Sequence, residues 1–163
     1  MTLASVEPGE LLCKMSRGIK IMADASLVDD GALEEQSWDA VVIPGGMPGA
    51  ERLRDCESLT RILAKQAEAP PKIVAAVCAA PAVVLETHGI LAGKTATCYP
   101  APPFTEKLQQ GGVKVSSDAV VVDGNVVTSR GPGTSLLFAL KLVELLFGPE
   151  KKDELAAQML VAA

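Results

Sequence analysis

The chain has 163 residues, of which 48% are hydrophobic and 21% charged, a balance that favours a globular fold over a disordered chain. Its net charge of -5 argues against nucleic acid or an anionic membrane as the main partner, and no apolar run reaches the roughly 18 residues that a membrane span needs. Because aromatic residues make up only 3%, we expect an aliphatic core.

Strand-like and helix-like segments alternate along the chain, which favours an α/β fold whose parallel sheet is covered on both faces. In chain order the patterns predict a strand at 19–22, a strand at 38–43, a helix at 48–67, a strand at 73–77, a helix at 81–87, a strand at 94–98, a helix at 104–110, a hairpin formed by 119–122 and 126–128, a helix at 134–147 and a helix at 150–161. No internal repeat or linker interrupts them, so we expect one domain over residues 1–163.

The four cysteines contain no Cys-x-x-Cys pair, and no Gly-x-Gly-x-x-Gly follows a strand. We therefore expect neither a metal nor an organic cofactor. The first residues lack the basic start and apolar core of a secretory signal. Reduced thiols in an intracellular compartment are the simplest interpretation, and we expect a cytoplasmic protein, with the nucleus or an organelle left open.

Cys78 is the first candidate for chemistry. It stands between the apolar run 73–77 and a helix start at Ala79, so the pattern predicts a sharp strand-to-helix turn with the cysteine at its tip. Helix N–H groups aimed at a thiol favour its thiolate form. A buried, inert cysteine is the plain alternative. A second strand ends at Gly45 and Gly46, and sites in such sheets lie beyond the carboxyl ends of the strands.

These residues resemble a known family. The motifs that carry the resemblance are DASL at 24–27, DAVVIPGG at 39–46, AAVCAAP at 75–81, LAGK at 91–94 and TSRGPGT at 128–134. The ordered set looks like the ThiJ/PfpI superfamily and, within it, the branch of the parkinsonism-associated protein deglycase. The resemblance implies a flavodoxin-like three-layer sandwich, of the class I glutamine amidotransferase type, that usually forms a homodimer.

The resemblance also implies a set of site residues. It assigns Cys78 as nucleophile, the N–H groups of Gly46 and Ala79 as oxyanion donors, and Gly45, Tyr99, Arg17, Arg130 and Pro132 as pocket residues. Tyr99 stands where many relatives carry histidine. Each has a plainer interpretation: a strand-ending turn for the glycines, a packed tyrosine, or surface arginines in ion pairs.

The branch is credited with glutathione-independent glyoxalase activity, in which methylglyoxal and water give lactate. It is also credited with deglycation of early glycation adducts and with a role in the oxidative-stress response. The expected function is therefore a cysteine-dependent enzyme acting on small dicarbonyls such as methylglyoxal and glyoxal. The alternatives are a redox-sensing or chaperone-like dimer whose cysteine oxidises without turnover, and an inert truncated family member.

The chain departs from the family pattern at its N-terminus. The family begins with a strand, a turn that bears a glutamate, and a helix, whereas residues 2–5 here already resemble the end of the second strand. No residue matches the glutamate that bonds to the cysteine, and we expect the first strand and helix to be absent. Ala79 stands where protease-like members carry histidine, so a Cys-His hydrolase is disfavoured. His88 is expected at a helix end without a catalytic role.

The other three cysteines are expected to be structural or incidental. Cys56 is expected on the exposed side of a helix. Because Cys98 is adjacent to Tyr99, a position near the pocket is the alternative for this residue. Cys13 belongs to no motif.

Overall fold

A four-stranded sheet forms the centre of the computed structural model, which describes residues 1–161. Its strands, in the order in which they lie side by side, are β5 (Ala40–Ile43), β6 (Ile73–Val77), β10 (Val126–Ser129) and β9 (Val120–Asp123). The first three strands are parallel and β9 joins as an antiparallel edge. The predicted hairpin around 123–125 is therefore confirmed. The single domain predicted over 1–163 includes two residues that lie outside the described ones.

Three two-stranded pairs accompany this sheet. They are β1 (Ala4–Ser5) with β4 (Ala25–Ser26), β2 (Leu12–Lys14) with β3 (Lys20–Met22), and β7 (Thr95–Ala96) with β8 (Lys114–Val115). Each of these pairs forms a sheet separate from the central one. The sequence patterns missed β2, β4 and β8 because each has only two or three residues, too few to show a period.

Helices cover the sheet. They are α1 (Ala32–Glu35), α2 (Gly49–Asp55), α3 (Glu57–Ala67), the elbow helix (Pro81–Leu85), α4 (Pro102–Gln110), α5 (Ser135–Phe147) and α6 (Pro149–Gln158). The elbow helix is a wide turn in which the Glu86 N–H donates to the Pro81 carbonyl. No helix among residues 1–161 is long and apolar enough to cross a membrane.

Strand β6 separates two cores because its side chains alternate. Ile73 and Ala75 pack with Phe138 and Leu142 of α5 on one face. Val74 and Ala76 contribute to the larger cluster on the other face, which α3 and the elbow helix also join. Both faces of β6 are buried, as expected for a central parallel strand. The α/β fold with a mainly parallel sheet, predicted from the alternating pattern, is confirmed.

The prediction of one helix over 48–67 is wrong. Two helices, α2 and α3, meet at Cys56, whose backbone is extended with φ -80° and ψ 105°. This break lets α2 pack against the elbow helix while α3 lies along β6. The expectation that Cys56 is exposed is wrong for the same reason, since the junction places its side chain in the core at 9% exposure.

Glu86 directly follows the elbow helix, and its carboxyl group is unusual because one oxygen is buried without a hydrogen-bond partner among the described residues. The carboxylate lies directly against the backbone of Gly111, where a side chain would collide with it. Its Oε2 atom is buried and has no hydrogen-bond partner among the described residues. Burial raises the pKa of Glu86 above its usual value, although Lys107 nearby opposes the shift.

Replacing this carboxyl with a neutral amide, Glu86→Gln, should stabilise the protein at neutral pH. A carboxyl whose pKa is raised in the fold stabilises the native state while protonated, and that contribution is lost as pH rises through the carboxyl range. Urea unfolding at pH 7 should therefore show a higher midpoint for the variant, and the difference should shrink below about pH 4.5. The exposed Glu106→Gln on α4 is the matched control. A variant less stable than wild type at pH 7 would contradict this account.

Candidate active site

Cys78 turns the chain from β6 into the elbow helix. Its φ is 65°, in the left-handed region that residues other than glycine rarely adopt. Such a conformation costs roughly 1–3 kcal/mol and persists only where the surroundings hold it. The side chain is partly buried at the carboxyl edge of the sheet. The predicted strand-to-helix turn with Cys78 at its tip is present.

Two backbone hydrogen bonds hold Cys78 in this conformation. Its N–H donates to the Ser129 carbonyl at 2.9 Å, and its carbonyl accepts from the Tyr99 N–H at 2.8 Å. Ser129 ends β10 and Tyr99 follows β7, so segments distant in sequence hold the two sides of the turn. The turn is therefore fixed by tertiary contacts as well as by local sequence.

Gly45 packs directly against the cysteine. A Cβ atom at this position would lie 2.5 Å from the Cys78 Cβ and 2.7 Å from the Val77 carbonyl oxygen. Only glycine fits this contact. Gly46 follows with φ 96° and turns the chain towards α2, and its carbonyl accepts from the Ala50 N–H at 2.8 Å.

Gly46 and Ala79 supply the two N–H groups that the resemblance assigns to an oxyanion. Ala79 is buried immediately after Cys78, and its nitrogen would lie 3.1 Å from a Cβ atom placed on Gly45. Within residues 1–161, neither N–H donates to a protein carbonyl. Ala79 directly follows Cys78, and Gly46 directly follows Gly45, which contacts the cysteine. Their service as oxyanion donors stays a prediction.

An aromatic wall stands beside the turn. The ring of Tyr99 packs against Gly131, where a Cβ would lie 3.3 Å from Cδ2, and its edge meets Phe104 at a centroid distance of 6.4 Å. Tyr99 remains 44% exposed. The Tyr99 backbone is bonded to Cys78, and the pocket role of its side chain stays a prediction.

The remaining pocket candidates differ in position. Arg130 follows β10 and is close enough to Cys98 to influence it electrostatically, while Pro132 is exposed on the next turn. Arg17 is exposed on the turn that joins β2 to β3, at φ 63°. Among the contacts described for residues 1–161, none joins Arg17 to the Cys78 turn. Its pocket role stays a prediction without support from this chain.

Cys98 directly precedes Tyr99 and is 3% exposed. Its Sγ is 3.4 Å from the Tyr99 carbonyl oxygen. Burial, and next the negative charge that Cys78 carries when ionised, raise the pKa of Cys98 to about 11, while Arg130 opposes the shift. A second thiol therefore borders the site, and its adjacency to Tyr99 was the signal that the sequence offered.

A polar network behind Cys78 was missed by sequence reasoning. The Ser129 hydroxyl is fully buried and lies 2.8 Å from the Ala119 carbonyl oxygen and 2.7 Å from the Thr134 hydroxyl. The Thr134 hydroxyl in turn accepts from the Gly131 N–H at 3.1 Å. This network fixes the loop that carries Arg130. The hydroxyls that flank the Gly-Pro-Gly turn were the available signal.

The other titratable candidates lie elsewhere. His88 Nε2 is 2.9 Å from the Arg54 carbonyl oxygen and 3.3 Å from the Thr60 hydroxyl, which gives the ring a structural role between helices. Cys13 lies on β2, and its Sγ is 3.5 Å from the hydroxyl of Ser5 on β1. Neither residue is joined to the Cys78 turn by these bonds.

Comparison with known proteins identifies the family. The model of the DJ-1/PfpI family matches residues 1–145. The chain belongs to the DJ-1/PfpI family. The resemblance drawn from the five sequence motifs is thereby confirmed, and so is the flavodoxin-like fold.

Individual relatives support the assignment. Protein DJ-1 homolog A of Arabidopsis thaliana is 42% identical over 161 residues, which are 99% of this chain and 39% of the relative, so the chain spans about two fifths of that protein. The Caenorhabditis elegans protein named glutathione-independent glyoxalase DJR-1.2 is 37% identical, over 98% of this chain and 78% of its own length. The solved structure of oxidised Toxoplasma gondii DJ-1 has a TM-score of 0.89 and 42% identity, and the match covers 99% of this chain and 83% of that one.

The contact between Gly45 and Cys78 gives a sharp test. Gly45→Ala should destabilise the fold by about 1–3 kcal/mol, because the added methyl group collides with Cys78 Cβ and the Val77 carbonyl. It should also change the rate at which iodoacetamide alkylates Cys78. Gly49→Ala is the control, since nothing in the described part of the chain lies within 4 Å of a Cβ there. Equal urea midpoints and equal alkylation rates for the two variants would show that the turn does not depend on this contact.

Proposed function

We propose that this protein is a cysteine-dependent, glutathione-independent glyoxalase that converts small dicarbonyls such as methylglyoxal and glyoxal to hydroxy acids. Deglycation of early glycation adducts, which present the same carbonyl chemistry to the thiol, belongs to the same proposal. A role in the oxidative-stress response follows from removal of these electrophiles.

One observation carries the proposal. Cys78 is held at the carboxyl edge of the sheet in a left-handed conformation, in contact with Gly45 and directly before Ala79, and the N–H groups of Gly46 and Ala79 have no carbonyl partner within residues 1–161. Donors preorganised around a developing negative charge can each contribute a few kcal/mol to a transition state. A thiol beside such donors is suited to addition to a carbonyl group.

The first step is addition. The Cys78 sulfur forms a bond to the aldehyde carbon of methylglyoxal, and the carbonyl oxygen takes the electron pair of the broken C=O π bond. The N–H groups of Gly46 and Ala79 stabilise this oxyanion, and its protonation gives a hemithioacetal. The wall formed by Tyr99 and Phe104 accommodates the methyl ketone end of the substrate.

The later steps move protons and add water. The hydrogen on the former aldehyde carbon leaves as a proton and is replaced by one on the neighbouring carbon, which yields a thioester of lactate. Water then attacks the thioester, releasing lactate and the free thiol, so the net reaction consumes one methylglyoxal and one water. A base must carry the proton between carbons. Among the hydrogen bonds described for residues 1–161, none joins a carboxylate to the Cys78 sulfur.

The C. elegans relative supports the substrate class, because it carries the name glutathione-independent glyoxalase and matches 98% of this chain. Its similarity extends over the strands and turns that surround Cys78. This support concerns the relative's activity, and the step to this chain is our proposal.

A second candidate function follows from the surroundings of the Cys78 sulfur. A thiol to which no described carboxylate hydrogen-bonds could oxidise under peroxide and report redox state without turnover. The oxidised form of the Toxoplasma relative, which shares 42% identity, favours this interpretation. In that case the protein would act as a redox-sensing or chaperone-like dimer.

We further propose that the protein works as a homodimer. Two apolar surfaces support this: the β2–β3 pair, where Met22 is 63% exposed, and α5, where Phe147 is 70% exposed. Sedimentation velocity at micromolar concentration should give the mass of two chains. A monomer under these conditions would remove the dimer from the proposal.

The activity itself is tested by following lactate. Purified protein should convert methylglyoxal to lactate without glutathione, and Cys78→Ala should lose essentially all of this turnover because it lacks the nucleophile. Cys13→Ala is the control, since that thiol lies on the β2–β3 pair, and it should keep wild-type turnover.

Two results would contradict the proposal. Full activity in Cys78→Ala would remove the nucleophile assignment. Absence of lactate from a wild-type sample that unfolds cooperatively would reject the glyoxalase and leave the redox-sensing function.

A further inference from the structure

The buried thiol of Cys98 has no part in the proposed reaction, yet it stands beside the reactive cysteine. The hydrogen bond from the Tyr99 N–H to the Cys78 carbonyl is 2.8 Å long. Cys98 directly precedes Tyr99 in the chain, so this single bond joins the backbone of Cys78 to the peptide group that follows Cys98. Cys78 and Cys98 are therefore backbone neighbours.

Standard covalent dimensions turn this neighbourhood into a distance limit. With a hydrogen bond of this length, the two Cα atoms can be at most about 7.5 Å apart. Disulfides span Cα separations of about 4.4–6.8 Å. The limit set by the backbone therefore overlaps the range of Cα separations that a disulfide bridges.

The two thiols differ in access and in ionisation. Cys78 is partly buried at the edge of the sheet, whereas Cys98 is 3% exposed. The raised pKa of Cys98, about 11, keeps that thiol protonated at neutral pH and unreactive towards peroxide on its own. An oxidant therefore meets Cys78 first.

We propose that Cys98 is a resolving cysteine, which captures oxidised Cys78 as an intramolecular Cys78–Cys98 disulfide. This inference needs Cys78 to react with peroxide but does not depend on glyoxalase turnover.

The chemistry balances in two steps. Hydrogen peroxide transfers one oxygen to the Cys78 sulfur, which is oxidised by two electrons to a sulfenic acid while the peroxide is reduced to water. The Cys98 sulfur then attacks the Cys78 sulfur and displaces hydroxide, which leaves with the Cys98 proton as water. The product is a disulfide, and a dithiol such as dithiothreitol returns both thiols.

The consequence is protection of Cys78 from irreversible damage. A sulfenic acid that is not captured proceeds with further peroxide to a sulfinic acid, which thiols do not reduce. A disulfide inside the site also blocks the nucleophile while it lasts. Cys98 would thus make the oxidation of Cys78 reversible.

The test is peptide mapping of the whole chain. Trypsin cuts after Lys72, Lys94 and Lys107, so Cys78 and Cys98 fall on separate peptides, 73–94 and 95–107. The protein is treated with equimolar peroxide, and its free thiols are then blocked under denaturing conditions. Wild type should give the two peptides linked, with a mass two hydrogen atoms below the sum of the two reduced peptides. Dithiothreitol should abolish the linked species.

Variants add a second readout. Cys98→Ser should give no linked peptide and several-fold more sulfinic acid on Cys78 than wild type at the same peroxide dose. Cys56→Ser, which removes another buried thiol at the α2–α3 junction, should behave as wild type.

Three outcomes would overturn the inference. Wild-type Cys98 could stay fully available to the blocking reagent while Cys78 carries oxygen. Cys98→Ser could accumulate sulfinic acid at the wild-type rate. The linked peptides could occur only in a species of twice the mass on a non-reducing gel. Because none of these measurements uses lactate, failure of the disulfide and failure of the glyoxalase are separate results.

Discussion

The left-handed conformation of Cys78 is the constraint on which the site depends. A residue with a side chain adopts φ 65° only when its neighbours offset the cost, and here three separate segments do so. Ser129 holds the N–H, Tyr99 holds the carbonyl, and Gly45 leaves room for the Cβ. Gly45 follows β5, Ser129 ends β10 and Tyr99 follows β7, so the site forms only when these three strands are assembled.

This arrangement explains the residue types around the cysteine. The carboxyl ends of β5, β6 and β10 converge, and the chain leaves each strand through a small residue or a tight turn. Gly45 lets its backbone approach Cys78 and the Val77 carbonyl oxygen, where any side chain would collide. The chemistry of the site therefore depends largely on main-chain geometry. The buried hydroxyl of Ser129 and its bond partner Thr134 fix the third turn.

The same edge of the sheet gives two cysteines opposite properties. Cys78 is partly exposed at the edge of the sheet, whereas Cys98, whose neighbour Tyr99 bonds to the Cys78 carbonyl, lies in the aliphatic core. Desolvation disfavours a thiolate, so the buried Cys98 thiol keeps its proton. The partly exposed Cys78 thiol is accessible to reagents. The nucleophile Cys78 and the buried thiol of Cys98 can thus lie close together.

Short-range patterns of apolar and small residues were enough to predict the α/β class, the central strand 73–77, the 123–125 hairpin and Cys78 at a strand-to-helix turn. The order of the motifs along the chain was enough to indicate the family. Three other facts became visible only in the folded chain: the helix predicted over 48–67 breaks at Cys56, Cys98 borders Cys78, and Arg17 lies on a separate turn. Those facts depend on contacts between segments far apart in the chain, and residue periodicity holds no record of which distant segments meet.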